Sequence, residues 1–216
     1  MIQGLIFDLD GVIVDTARYH YLAWKKLADE LDFHFSESQN EALKGVSRMH
    51  ALEILLQIGG VQASEEKKLD WAERKNVWYR QYLKTLTPND ILPGVLEFLR
   101  EAKERRYKTA LGSASKNART ILDQLEIIDY FDFIADGTMT QKAKPDPEVF
   151  LLAAEGILCP PKDCLVFEDA LAGVQAARNA GMKVVGIGNP SVLEKADMIF
   201  PGFKNLHLAD LEALCQ

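Results

Sequence analysis

From Tyr107 onward the chain alternates between short apolar runs and segments of helical spacing, and this alternation restricts the fold more than any other feature. The runs at 107–111, 132–135, 164–167, 183–187 and 197–200 have strand length. Helix-period stretches follow at about 116–126, 147–156, 171–180 and 206–214. Ser115 before the first, Asp146-Pro147 opening the second and Gly181 closing the third mark helix ends. A strand that is followed by a crossover helix returns parallel to its neighbour. The expectation is therefore an α/β fold, a parallel sheet with helices on both faces. The apolar run at 3–8 belongs to the same sheet by composition.

Residues 16–87 interrupt the pattern. They are rich in Leu, Ala, Lys, Glu and Trp at helical spacing, as in Ala17, Tyr21, Trp24, Ala28 and Leu31. Helices are expected at about 16–32, 37–43, 48–59 and 64–86. A helical block between the first strand and the remainder of an α/β domain reads as an insertion. The expected division is a core of 1–15 and 88–216 and an inserted helical domain of 16–87. The connections at Val14–Thr16 and Thr87–Asp90 are expected to lie close together, where they could serve as a hinge.

The whole-chain balance excludes several classes of function. A net charge of −7 over 216 residues argues against a nucleic-acid or anionic-membrane surface. No apolar run approaches the roughly 20 residues a membrane span needs, and no basic-then-apolar leader precedes the first strand. The three cysteines, Cys159, Cys164 and Cys215, lack metal-ligand spacing and read as small core filler in a reducing compartment. The expectation is a cytoplasmic monomer.

Chemistry concentrates where apolar runs end. Leu5-Ile6-Phe7 leads into Asp8-Leu9-Asp10-Gly11. On an extended backbone Asp8 and Asp10 share a face, roughly 7 Å apart. Such a pair repels unless a cation or a shared proton offsets it. Ser113, Lys144 and Glu168-Asp169 stand in three further segments, and the ends of strands along one sheet edge converge on one crevice. Asp8 can take a phosphoryl group as a carboxylate nucleophile, with Asp10 as general acid and base. Asp169, with Glu168 beside it, offers hard oxygens to Mg²⁺. Lys144 and the Ser113 hydroxyl would hold the transferring phosphate. Singly, each has a plainer reading: Asp8 as a turn residue, Asp169 or Ser113 as helix caps, Lys144 as a solvated lysine. Four such groups at the ends of four segments read together as a catalytic site.

These four segments resemble the signature motifs of the haloacid dehalogenase-like phosphotransferase superfamily, and the helical block resembles its C1-type cap. The resemblance covers essentially the whole chain. It implies a Rossmann-like, doubly wound core with an inserted helical cap. It also implies phosphoryl transfer through phosphorylated Asp8 with one Mg²⁺ per chain, held by Asp8, Asp169 and the backbone carbonyl of Asp10. An acid at Asp10 separates this pattern from the true dehalogenases and from the phosphonatases.

Within that superfamily the chain is most similar to the sugar phosphomutases, through Asp8–Val12, Asp15-Thr16-Ala17, His20, Ala23-Trp24, Leu43–Arg48, Arg74-Lys75-Asn76 and Ser113–Asn117. The resemblance implies a small-molecule substrate, with β-glucose 1-phosphate and glucose 6-phosphate interconverted through β-glucose 1,6-bisphosphate. It implies substrate contacts at His20, Trp24, Lys44, Gly45, Val46, Ser47, Arg48, Lys75, Asn76, Ser113, Ala114, Ser115, Lys116 and Asn117. Arg48, Ser115, Lys116 and Asn117 would bind the distal phosphate. His20 would couple cap closure to Asp10, and Thr16 would hold Asp10 aside until then. Read from the residues alone, Trp24 is equally a core residue, Arg48 a solvated helix start, and Arg74-Lys75-Asn76 a wet helix face. Met49-His50 departs from the acidic residues that the mutases often carry after the arginine, and Val166-Phe167 before Glu168-Asp169 resembles the sugar phosphatases. A phosphatase that uses water as acceptor therefore stays open, as does a non-catalytic sugar-phosphate binder.

Overall fold

The computed structural model describes residues 2–43 and 46–215, apart from the side chains of Glu212 and Cys215. The expected core role of Cys215 and the substrate contacts at Lys44 and Gly45 lie outside the described residues. The chain divides into two compact units, Met1–Asp15 with Thr87–Gln216, and Thr16–Leu86. It opens with β1 (Gly4–Phe7) and continues through α1 (Ala17–Glu30), α2 (Glu37–Asn40), α3 (Arg48–Gly59) and α4 (Glu65–Leu83). It then resumes with α5 (Val95–Glu104), β2 (Lys108–Gly112), α6 (Ala118–Gln124), β3 (Phe133–Ala135) and α7 (Glu148–Gly156). The last elements are β4 (Cys164–Glu168), α8 (Leu171–Asn179), β5 (Lys183–Ile187), β6 (Met198–Phe200) and α9 (Glu212–Cys215).

In the first unit six strands form one sheet, ordered β3-β2-β1-β4-β5-β6, and every pairing is parallel. This is the doubly wound, Rossmann-like order, and the chain reverses its direction of travel across the sheet between β1 and β4. Successive side chains of β1 enter opposite layers. Ile6 packs with Phe150, Ala153, Val166 and Val174. Phe7 stacks on Phe167, centroids 4.7 Å apart, and meets Phe98 and Phe203 edge-on or tilted. Both layers are apolar and buried, so the polar ends of β1 and β4 are left as the place for chemistry.

Four sequence expectations need adjustment. β1 ends at Phe7, because Leu9–Val14 curls into a turn in which Ile13 N–H and Val14 N–H both donate to Leu9 O. Helix α5 was unassigned by the sequence, although it buries Val95, Phe98, Leu99 and Ala102. The stretch 206–214 is a 3₁₀ turn, Leu208–Leu211, followed by the short α9. Ser115 does not cap α6 at its first residue; its Oγ accepts from Asn117 N–H, one residue ahead of the helix.

The second unit has its own core of Trp24, Leu27, Phe35, Leu52, Leu55 and Leu56. Ser36, Ser47 and Ser64 begin α2, α3 and α4 by accepting from Gln39, His50 and Lys67 N–H. On the first unit's side of the insertion, Val14 bridges Ile91 and Ile13 O accepts from Leu92 N–H at 2.9 Å. The incoming and outgoing backbones are thus tied to each other there.

Candidate active site

Asp8 follows the last residue of the central strand, and its N–H donates to Phe167 O at 3.0 Å. Its position in the sequence pleat places it on the Ile6 face, above α7. Lys144 reaches the same point from the loop before α7. Its Nζ donates to Asp8 Oδ1 at 2.5 Å and to Glu168 Oε1 at 2.7 Å, and it lies 4.5 Å from the centre of the Phe150 ring. All three side chains are nearly withdrawn from water. The second Glu168 oxygen accepts from Ala170 N–H at 2.7 Å, where α8 begins.

Two glycines allow these acids to sit where they do. Gly11 has φ +83°, and a Cβ there would overlap Asp169 Oδ2, so the Asp10-Gly11 turn and Asp169 are in direct contact. A Cβ on Gly173 would overlap Glu168 Oε1 in the same way, so the first turn of α8 is the surface on which Glu168 lies.

Electrostatics follow from this crowding. Burial pushes the Asp8 carboxyl well above the usual carboxylate range; Glu168, Asp10 and Asp169 push it the same way, and Lys144 opposes them. Asp169 is pushed up to about 7, by burial first and then by Glu168 and Asp10. Burial alone would lower Lys144. The adjoining Asp8 and Glu168 reverse this and hold its ammonium above the ordinary lysine value. Asp8, Glu168 and Asp169 thus all feel the charge of Lys144.

Among the described residues no three His, Cys, Asp or Glu side chains close into a ready-made metal cage. The donor set nevertheless fits Mg²⁺. The carboxylates of Asp8, Glu168 and Asp169 are hard oxygens, and the upward pressure on Asp8 and Asp169 is what a divalent charge relieves.

Ser113 stands one residue beyond β2, on the strand beside β1, and is buried. Its Oγ accepts from Ser115 N–H at 3.1 Å, which leaves its own proton available to donate. Ala114 and Lys116 are exposed, and Ser115 and Asn117 half-buried.

The helical unit carries a second polar cluster. Lys75 is buried, with Nζ 2.9 Å from His20 Nδ1 and 4.5 and 4.8 Å from the Trp24 and Tyr79 ring centres. The expected wet face at Lys75 is therefore corrected. Ala72, Lys75, Tyr79 and Leu83 form the inward stripe of α4, while Glu73 and Arg74 beside Lys75 face water. His20 lies 4.0 Å from the Tyr79 ring, and burial, followed by the Lys75 and Arg48 charges, lowers its pKa well below the usual value. Tyr79 OH donates to buried Thr16 Oγ1 at 3.3 Å. Trp24 belongs to the apolar core as well as to this cluster. Asn76 is half-buried. Arg48 Nη1 pairs with Glu73 Oε2 at 3.3 Å, Ser47 caps α3, and Val46 is exposed.

Sequence reasoning missed Tyr79, which sits four residues after Lys75 on the same helical face, a spacing that could have found it.

The model of the haloacid dehalogenase-like hydrolases matches residues 2–181. A β-phosphoglucomutase of Bacillus subtilis is 44% identical over 199 residues, 91% of this chain and 88% of that protein. A phosphorylated carbohydrates phosphatase of Thermotoga maritima is 32% identical over 185 residues, 84% of this chain and 82% of that one. The crystal structure of a β-phosphoglucomutase from Clostridium difficile superposes with a TM-score of 0.92 at 43% identity, covering 100% of this chain and 97% of that one. The chain belongs to the haloacid dehalogenase-like hydrolase family.

Proposed function

We propose that this chain is a β-phosphoglucomutase, interconverting β-glucose 1-phosphate and glucose 6-phosphate through β-glucose 1,6-bisphosphate. The observation that carries the reading is the 44% identity to the Bacillus enzyme over nine-tenths of the chain, joined to an Asp8 carboxylate paired with Lys144 at the mouth of the sheet. Asp8 attacks phosphorus and holds the phosphoryl group as an aspartyl-phosphate. Asp10 gives a proton to the leaving sugar oxygen and takes one from the attacking hydroxyl. Lys144 opposes the pull of burial on the Asp8 carboxyl and balances the charge of the transferring group, and the Ser113 hydroxyl donates to a phosphoryl oxygen. Mg²⁺, held by Asp8, Asp169 and the Asp10 carbonyl with Glu168 beside them, would supply positive charge to the phosphoryl oxygens.

The same proposal assigns sugar-phosphate contacts to His20, Trp24, Lys44, Gly45, Val46, Ser47, Arg48, Lys75, Asn76 and the 113–117 loop, with Arg48 taking the second phosphate. Thr16 and His20 govern the proton transfers of Asp10. A monomer in the cytoplasm is part of this reading; no helix among the described residues is long and apolar enough to cross a membrane.

The phosphatase alternative keeps one specific support, the similarity to the Thermotoga enzyme. One assay separates the two. The protein is incubated with Mg²⁺, β-glucose 1-phosphate and a trace of the bisphosphate, and both glucose 6-phosphate and free phosphate are followed. Glucose 6-phosphate as main product supports the mutase; phosphate release without it overturns the proposal. Asp8→Asn should lower turnover by a factor of about 10⁴ or more with unchanged circular dichroism. Retained turnover removes Asp8 as nucleophile.

A further inference from the structure

Lys144 does not lie on a helix or strand. It sits in the loop between β3 and α7, yet its ammonium is fixed within hydrogen-bonding distance of two carboxylates. A lysine has four rotatable side-chain bonds, so such placement requires a rigid backbone beneath it. Two side chains supply that rigidity from either flank. Upstream, Glu148 Oε2 accepts from the consecutive N–H groups of Gln141 and Lys142, at 2.9 and 2.7 Å. Downstream, Asn179 Nδ2, at the end of α8, donates to Pro145 O at 2.9 Å. The amide of Asn179 is itself oriented, because its Oδ1 accepts from Gln175 Nε2 at 2.9 Å. Between the flanks, Asp146 N–H closes a turn on Ala143 O at 3.0 Å, and Asp146 Oδ1 accepts from Glu148 N–H at 3.1 Å.

We infer that Glu148 and Asn179 are positioning residues that hold the 141–146 loop so that Lys144 meets Asp8. Neither side chain is bonded to a catalytic group; both act on backbone atoms of the loop. A carboxylate oxygen that accepts two successive amide protons makes a charge-assisted pair of bonds, stronger than the neutral equivalent. Asn179 ties the loop to α8, whose first turn carries the backbone under Glu168. Glu168, one of the two partners of Lys144, and the loop that presents the lysine are thereby referred to one helix. Displacement of a catalytic group by about 1 Å costs on the order of 100-fold in rate, so release of the loop should be visible in turnover while substrate affinity is largely kept.

The inference rests on the proposed role of Lys144, and the test separates the two. Glu148→Ala, Glu148→Gln and Asn179→Ala are assayed for mutase turnover with Mg²⁺, alone and combined with Lys144→Ala. Glu148→Ala should lower kcat about 10- to 100-fold with KM within about twofold. Glu148→Gln keeps an acceptor oxygen and should recover to within about threefold of the parent. In the Lys144→Ala background Glu148→Ala should cause no further loss, because the group it positions is gone. Equal losses in both backgrounds, or an unchanged kcat in Glu148→Ala, overturn the inference. Where Lys144→Ala leaves no turnover to compare, the Gln rescue decides; failure to rescue overturns it. Should Glu148→Ala fail to fold, Asn179→Ala is read by the same criteria. A fully active Lys144→Ala overturns the role of Lys144 and this inference together, whereas a crippled Lys144→Ala beside an unaffected Glu148→Ala overturns the inference alone.

Discussion

Each of the two units buries a lysine, and they do so by different physics. In the α/β unit the Lys144 ammonium is set directly against Asp8 and Glu168, and its charge is answered by charge. In the helical unit Lys75 lies against the neutral ring nitrogen of His20 and the faces of Trp24 and Tyr79, where ring quadrupoles do much of the same work. The first arrangement leaves carboxylates that depend on their cation. The second leaves rings that pack well without it. Replacing each lysine with methionine turns this contrast into a measurement. Lys144→Met strands two buried acids and should cost about 3–5 kcal/mol in urea unfolding. Lys75→Met keeps the apolar contacts and should cost about 1–2 kcal/mol. Equal costs at the two sites would break the comparison.

A pH titration sharpens the same contrast, because a cation held against His20 has a consequence that a cation held against carboxylates lacks. Burial and the Lys75 and Arg48 charges keep the His20 pKa well below its ordinary value in the folded chain. In the unfolded chain it titrates near about 6.5. Below that pH the unfolded state binds a proton that the folded state refuses, so the contribution of His20 to stability must fall as the pH drops, by up to about 1.4 kcal/mol per pH unit, and must level off above it. His20→Gln should remove this slope between about pH 5 and 6.5. Urea midpoints for both proteins across that range check it; parallel profiles would show that His20 gains its proton freely when folded.

How much of this was legible in the sequence varies with the physics involved. The strands of the sheet fall within a residue or so of the apolar runs, because a parallel strand buried on both faces writes its burial into consecutive residues. Helix α5 escaped although Val95, Phe98, Leu99 and Ala102 have helical spacing. It starts at Gly94, φ +87°, with no capping side chain to mark the entry. Asp8, Ser113 and Glu168 stood out because each ends an apolar run; Lys144, placed in a loop, stood out only jointly with them. Lys75 read as solvated because Arg74 and Asn76 flank it, and sequence neighbours on a helix point about 100° apart. Glu148 and Asn179 left no signature, since a side chain that binds backbone N–H or C=O has no partner identity to reveal it.

Tyr79 gives the smallest and most local test of the helical cluster. Its ring packs on His20 and beneath Lys75, while its hydroxyl donates to Thr16 Oγ1. Tyr79→Phe keeps the ring and removes one hydrogen bond, so it should cost about 0.5–1.5 kcal/mol. Because the aromatic face that meets Lys75 is unchanged, the pH slope assigned to His20 should persist in Tyr79→Phe with only its midpoint of unfolding displaced. If the slope disappears along with the hydroxyl, the low His20 pKa depends on the Thr16–Tyr79 bond holding the ring in place, and the lysine–imidazole contact by itself does not explain it.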